Sequence, residues 1–363
     1  MEQCLAAERA LVAALVMGEV DPRDLSGRLH PLDFTDPAAG ACFAAALDHR
    51  SSGGPVEDLP DRLRQRAALR ADGYPIRELL DWLPSLPAPT HPEAWATLVV
   101  ASSLGRVVHA SGTRLIQSTC APDGSRVDAG RVLTVAAAQR AALHGALKRW
   151  QALPQGWRDT VPARPAPVEA QRAGPTSPAD PADPVLEREV LAGVVAVPAL
   201  LDRMPWLSGE DFTEPAVREV FEQVRQGHQA GCPVDPVTLA AGFPARGERE
   251  ADSAADVCAG LRPDLAMPAT IPFLARRLVQ DTAVREARAT GETLIGLAGR
   301  PGSAGDLGGA LVQAALSRLD ELRPYAVRLE QAYRPASSRP VDRNRSASRF
   351  PASRDSGLSR RAG

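Results

Sequence analysis

Lysine is almost absent from this 363-residue sequence: Lys148, in Ala146-Leu147-Lys148-Arg149-Trp150, is the one lysine among 42 basic residues. A Walker A phosphate loop ends in Lys followed by Ser or Thr, because the ammonium must reach the β- and γ-phosphates. No glycine loop precedes Lys148, and the glycine-rich stretch Gly299-Arg300-Pro301-Gly302-Ser303-Ala304-Gly305 holds no lysine, so it reads as a loop between helices. A phosphate-loop ATPase is excluded. Cysteine is sparse, with Cys4, Cys42, Cys120, Cys232 and Cys258 far apart and no Cys-x-x-Cys pair. That pattern argues against a secreted disulfide scaffold and fits a reducing compartment. The longest apolar run, near Leu191–Leu201, contains Pro198 and falls short of the ~18–20 residues of a membrane span. Glu2, Glu8 and Arg9 break the N-terminal apolar stretch, so no signal peptide is expected. A soluble, cytoplasmic protein without a membrane partner is the expectation. With 44 acidic residues against the 42 basic ones the net charge is −2, so any nucleic-acid contact must come from local asymmetry.

What is present is proline and repetition. Pro154, Pro162, Pro165, Pro167, Pro175, Pro178, Pro181 and Pro184 remove backbone donors between the two halves and predict an extended linker. A second break follows Tyr333: residues 334–363 have almost no apolar content and cannot offset their ordering entropy. Both segments are expected to be disordered. The flanking blocks match each other. Glu8-Arg9-Ala10-Leu11-Val12 aligns with Glu187-Arg188-Glu189-Val190-Leu191 at an offset of 179 residues. Asp33-Phe34-Thr35-Asp36-Pro37 aligns with Asp211-Phe212-Thr213-Glu214-Pro215, and Phe43 with Phe221, at an offset of 178. Ala110-Ser111-Gly112-Thr113-Arg114-Leu115-Ile116 matches Ala289-Thr290-Gly291-Glu292-Thr293-Leu294-Ile295 at 179 again. One near-constant offset over more than a hundred residues implies a tandem duplication, with a unit far longer than the roughly 20–50 residues of solenoid repeats.

Each unit reads as helical. Leu11, Val12, Leu15 and Val16, echoed by Val190, Leu191, Val194 and Val195, form an amphipathic stripe. Thr35-Asp36-Pro37 and Thr213-Glu214-Pro215 place a hydroxyl and an acid before a first-turn proline, a helix-start pattern in which the hydroxyl is the expected cap. Leu311, Ala315, Leu319 and Leu322 continue a helical face in the second unit, as Val132, Val135, Ala142 and Leu143 do in the first. The fold class expected is all-α: two tandem helical bundles over 1–150 and 184–333, a proline-rich linker over 151–183, and a basic tail over 334–363.

These residues resemble the N-terminal domain of replicative DnaB-type helicases, the helical head and hairpin of the hexamer's collar. In the second unit the resemblance is carried by Glu187-Arg188-Glu189-Val190-Leu191, by Asp211-Phe212 followed by Val217-Arg218-Glu219-Val220-Phe221, and by Gly231-Cys232-Pro233-Val234-Asp235-Pro236-Val237-Thr238-Leu239. Arg285 and Arg106 fall near the arginine of the family's next long helix. The first unit departs at Ala39-Gly40 and at Glu57-Asp58-Leu59. The family's RecA-like motor follows neither unit. The resemblance therefore implies a non-enzymatic accessory or adaptor of DNA replication that binds helicase or primase, its units paired within one chain or between chains. The alternative is a DNA-binding or nucleoid-associated protein that reuses the fold; a third reading is a self-assembling scaffold.

No catalytic, metal or cofactor site emerges. His91-Pro92-Glu93 matches half of a zinc deaminase site, but the Pro-Cys-x-x-Cys half is missing and Thr270-Ile271-Pro272 stands at the matching place. Asp33 and Asp211 are expected to satisfy helix-end amides while Phe34 and Phe212 anchor the core. Cys42 and Cys258 read as small buried hydrophobes, and Trp82, Trp95 and Trp206 as core. The tail differs. Arg334, Arg339, Arg343, Arg345, Arg349, Arg354, Arg360 and Arg361 against Asp342 and Asp355 leave +6 there and −8 for residues 1–333. Such an arm suits sequence-independent phosphate contact that weakens in salt, with Arg339, Arg343, Arg345, Arg349, Arg354, Arg360 and Arg361 as candidate DNA-contacting residues.

Overall fold

The computed structural model describes residues 2–69, 92–121, 125–159, 183–243, 254–299 and 304–334. Among them every regular element is helical, and the lone β contact is an isolated bridge between Ser26 and Leu29. The fold is all-α, as expected. The N-terminal half runs α1 (Glu2–Val16), α2 (Pro22–Leu25), a 3-10 turn (Pro31–Asp33), α3 (Pro37–Ser51), a second 3-10 turn (Val56–Asp58) and α4 (Leu59–Leu69). A long hairpin follows, α5 (Pro92–Ser118) and α6 (Ala129–Ala152), then the short α7 (Gln155–Asp159). The C-terminal half runs α8 (Pro184–Ala196), α9 (Leu200–Arg203), a 3-10 turn (Gly209–Asp211), α10 (Pro215–Ala230), α11 (Pro236–Gly242), α12 (Ala254–Gly260) and a 3-10 turn (Pro263–Leu265). Its long helices are α13 (Ile271–Ala298), α14 (Ala304–Asp320) and α15 (Arg323–Tyr333).

The apolar stripes of α1 and α8 are buried, with Val16 alone at the margin. In each head the phenylalanine after the 3-10 turn packs on one in the next helix: Phe34 on Phe43 with centroids 5.4 Å apart, and Phe212 on Phe221 at 4.8 Å. Both pairs are tilted at 36° rather than face to face, and aromatic pairs at such spacings add about 0.5–1.5 kcal/mol beyond the apolar area they bury. Helix α10 turns Val217, Val220, Phe221 and Val224 inward and Arg218 and Glu219 outward. It stops at Gly231, whose φ of 69° is left-handed and costs a glycine little. The next start is a capping box: Asp235 accepts from the Val237 and Thr238 amides at 2.9 and 3.0 Å, and Thr238 Oγ1 accepts from the Asp235 amide.

Three expectations need correction. The threonines before Pro37 and Pro215 are not the caps. Asp36 caps α3 through the Ala38 amide, and buried glutamates from the first helix of each half cover the neighbouring donors. Glu8 accepts from the Thr35 and Asp36 amides at 2.6 and 2.9 Å, and Glu187 from those of Thr213 and Glu214 at 2.8 and 3.2 Å. A two-oxygen carboxylate on a long side chain reaches both donors at once, which a local hydroxyl cannot. Second, Ala142 is exposed; the buried face of α6 is Val132, Leu133, Ala136, Leu143, Ala146, Leu147 and Trp150. Third, residues 151–159 are not extended linker. Gln151 and Ala152 finish α6, Leu153 is buried, and α7 packs on α5 with Thr97 Oγ1 at 3.3 Å from the Trp157 carbonyl. The remaining linker residues 160–182 and tail residues 335–363 lie outside the described residues.

The four long helices α5, α6, α13 and α14 pack on one another, joining the halves. Where α6 is continuous, the C-terminal half breaks at Glu321–Leu322 and restarts as α15. Pro324, at the position matching Gly145 of α6, lacks the amide and the room that an uninterrupted helix would need.

Candidate functional site

The joint between head and hairpin uses the same parts twice. Asp33 Oδ2 accepts from the His30 amide at 2.8 Å, while its Oδ1 accepts from Ser103 Oγ at 2.9 Å and lies 3.4 Å from Arg149 Nη2. Asp211 Oδ2 accepts from the Ser208 amide at 2.8 Å and is paired with Arg328, whose Nε donates to the Trp206 carbonyl. Burial pushes the Asp211 carboxyl up to about 6, with Arg328 and the Ser208 amide pulling the other way. From the hairpin, Arg106 donates to the Asp33 carbonyl and Thr35 Oγ1; in the other half Thr282 donates to the Asp211 carbonyl at 3.1 Å and Arg218 to that of Phe212 at 2.8 Å. Both aspartates cap and anchor, as expected. Their arginine partners went unread in the sequence, although Arg149 and Arg328 stand at the 179-residue offset.

The second feature is the seam between halves. A Cβ built on Gly112 would fall 2.6 Å from the Gly291 carbonyl oxygen and 2.9 Å from Ile295 Cγ1; one on Gly291 would fall 2.7 Å from Ile116 Cγ1 and 2.9 Å from the Gly112 oxygen. Gly112 thus meets Ile295 while Ile116, four residues later, meets Gly291, four residues earlier. The crossing of α5 and α13 is antiparallel, and residues of equal rank in the two halves face each other across it. Arg126 paired with Asp281 at 2.5 Å and Arg140 with Asp320 at 2.6 Å extend the contact at its edges.

The third is a groove of about 430 Å³ in the C-terminal head, between α8, α12 and the turn Pro263–Leu265. Val185, Ala192, Val257, Leu261 and Leu265 give it an apolar floor, and Arg188, Glu189, Asp256 and Arg262 a charged rim. Val185 and Leu265 are 69% and 72% exposed, and Met267 beside them 65%. Sequence reasoning missed this groove, whose walls come from three separate segments.

The remaining candidates are placed as follows. Arg339, Arg343, Arg345, Arg349, Arg354, Arg360 and Arg361 lie outside the described residues, as do His91 and Trp82. Trp206 is buried and Trp95 half-buried. Cys42 and Cys258 are buried in α3 and α12, and burial pushes the Cys42 thiol up to about 12, an inert form. Among the described residues no group of three His, Cys, Asp or Glu side chains is placed to hold a metal ion, and no helix is long and apolar enough to cross a membrane.

Residues 179–279 match the family model of the DnaB-like helicase N terminal domain. The match runs from just before α8 into the first turns of α13, so it takes in Asp211 and the whole groove, while the joint's hairpin-side partners Thr282 and Arg328 lie beyond it. Over those residues the chain is similar to the DnaB-like helicase N terminal domain, and the helices there are consistent with a helical domain of that kind. No curated protein and no solved structure matches the chain.

Proposed function

We propose that this protein is a non-enzymatic accessory or adaptor of DNA replication: two helicase-collar-like units paired within one chain, the second presenting its groove to a replication protein. The observation that carries this reading is the antiparallel seam at Gly112 and Gly291. Surfaces of equal rank in the two halves bury each other, so the pairing that a separate collar domain would offer from another chain is already used internally. The groove lies inside the residues that match the family and combines exposed apolar side chains with a rim of both charge signs, which suits one face of an amphipathic helix. The acids that would otherwise suggest catalysis, Glu8, Asp33, Glu187 and Asp211, are each engaged in capping or ion pairing. The partner class is helicase or primase. The alternative, a DNA-binding protein without such a partner, draws on the +6 charge of residues 334–363 and is opposed by the −8 of residues 1–333.

The test is a nuclease-treated pull-down of the cognate replicative helicase and primase by the tagged full chain at ~0.15 M salt, where exposed charges are largely screened. Retention of either, lost with Leu265→Asp, supports docking at the groove. Retention of neither overturns it.

A further inference from the structure

Among the described residues two aromatic side chains are more than half exposed, Phe273 at 66% and Tyr333 at 58%. Both lie at the outer face of the N-terminal half of α13. Phe273 precedes Arg276 and Arg277 by about one turn. Tyr333 ends α15 and is fixed to the same face: Gln280 Nε2 donates to its hydroxyl at 2.5 Å, and the Arg276 guanidinium sits 5.8 Å from its ring centroid. Arg277 reaches the other way, to within 3.8 Å of Asp183. At Arg334, directly after Tyr333, begins the segment whose eight arginines and two aspartates carry +6. The corresponding face of the N-terminal half is built differently. Ala94 stands where Phe273 does, Thr97 where Arg276 does, and α7 packs over the helix there.

We infer that Phe273, Arg276 and Tyr333 form a stacking site for single-stranded DNA. Every base has a flat π-face, so aromatic side chains bracketing a cation hold single strands without reading sequence, while nearby arginines neutralise phosphates. Arg276 lies over one face of Tyr333 and leaves the rest of that ring to a base. In a chain with only 4% aromatic residues, an exposed Phe273 one turn before Arg276 and an exposed Tyr333 beneath its guanidinium mark this face out from the apolar groove, whose floor is aliphatic. The choice of DNA over RNA rests on the replication reading; the stacking chemistry does not.

Fluorescence polarisation of labelled oligothymidylate with the full chain tests the site. Phe273→Ala and Tyr333→Ala are each expected to weaken binding about tenfold or more, from the worth of one stacked base. Tyr333→Phe, which keeps the ring, should retain most of the affinity, and Leu265→Asp should bind as the parent does. Parent-like binding by both alanine variants, or no binding by the parent, overturns the proposal. So does equal competition by duplex DNA, whose bases are already stacked, or by polyglutamate, which would mark an acidic protein as the occupant. Tighter binding of oligouridylate overturns the DNA assignment. Because Leu265→Asp acts only on the groove, failure of protein docking and failure of DNA stacking are read separately.

Discussion

Adding side-chain atoms at Gly112 tests the seam that joins the halves. The nearest neighbour of the new Cβ, 2.6 Å away, is the Gly291 carbonyl oxygen, followed by Ile295 Cγ1 at 2.9 Å and Leu294 Cβ at 3.0 Å. Backbone has no rotamer to turn, so α5 and α13 must separate by roughly 1 Å to reach ordinary contact near 3.5–4.0 Å, losing about a quarter to a half of each affected dispersion well. Overpacking of this kind costs about 1–3 kcal/mol. Alanine in a helix interior recovers about 1 kcal/mol over glycine, so a single Gly112→Ala nets only about 0–2 kcal/mol. Gly112→Leu gains similarly from propensity and puts three more carbons into the seam, so it is the stronger probe. The assay is a protease site placed between residues 165 and 178 of the full chain, followed by cleavage and size-exclusion chromatography. The parent halves should co-elute, and Gly112→Leu should weaken their association roughly 30-fold for about 2 kcal/mol. Gly105→Leu is the control, since nothing lies within 4 Å of a Cβ on Gly105 of the same helix. If the cleaved halves of Gly112→Leu stay together as firmly as those of the parent, the seam is not what joins them.

Other perturbations follow from the joint. Arg328→Met leaves Asp211 buried without its counter-charge and should cost about 3–5 kcal/mol in urea unfolding, whereas Leu32→Ala, at an 82% exposed position, should change little. Phe212→Ala empties the fully buried partner of Phe221 and should cost about 3–5 kcal/mol by the same assay. Asp211 also sets a pH dependence. Its folded carboxyl takes a proton near 6 against 3.8 when unfolded, so the folded chain binds more protons between those values and this group's contribution to stability rises as pH falls through that window. Asp211→Asn should abolish that rise; an unchanged parent-minus-variant difference from pH 7 to pH 4 would show that Asp211 is not its source.

The parts of the fold legible in the sequence were those written locally. The stripes of α1 and α8, the prolines opening α3 and α10, the Asp-Phe anchors and the Pro-Val-Asp-Pro-Val-Thr turn each depend on residues within a few positions, where 3.6-residue periodicity and capping chemistry act. Contacts closed over long separations were not legible as contacts. Glu8 and Glu187 stood at the head of the matched segments, yet nothing local says that they reach amides 26 to 28 residues on. Arg149 and Arg328 look like ordinary arginines on helices until the fold brings them to the aspartates. Gly112 and Gly291 were visible as equivalents, but equivalence does not say that they touch. Helix α7 was misassigned because Pro154 and Pro162 flank it, while the burial of Leu153 that holds it in place is tertiary. The groove had no local signal, since its floor is assembled from aliphatic residues of α8, α12 and a turn.

Hydrogen exchange of the full chain with and without its cognate helicase, and again with primase, addresses the docking surface directly. The expected result is added protection at residues 184–192 and 254–266, the walls of the groove, with the seam helices α5 and α13 unchanged because they are already buried against each other. Protection confined to the N-terminal head, or none with either protein, would contradict an adaptor that recognises its partner through the C-terminal unit.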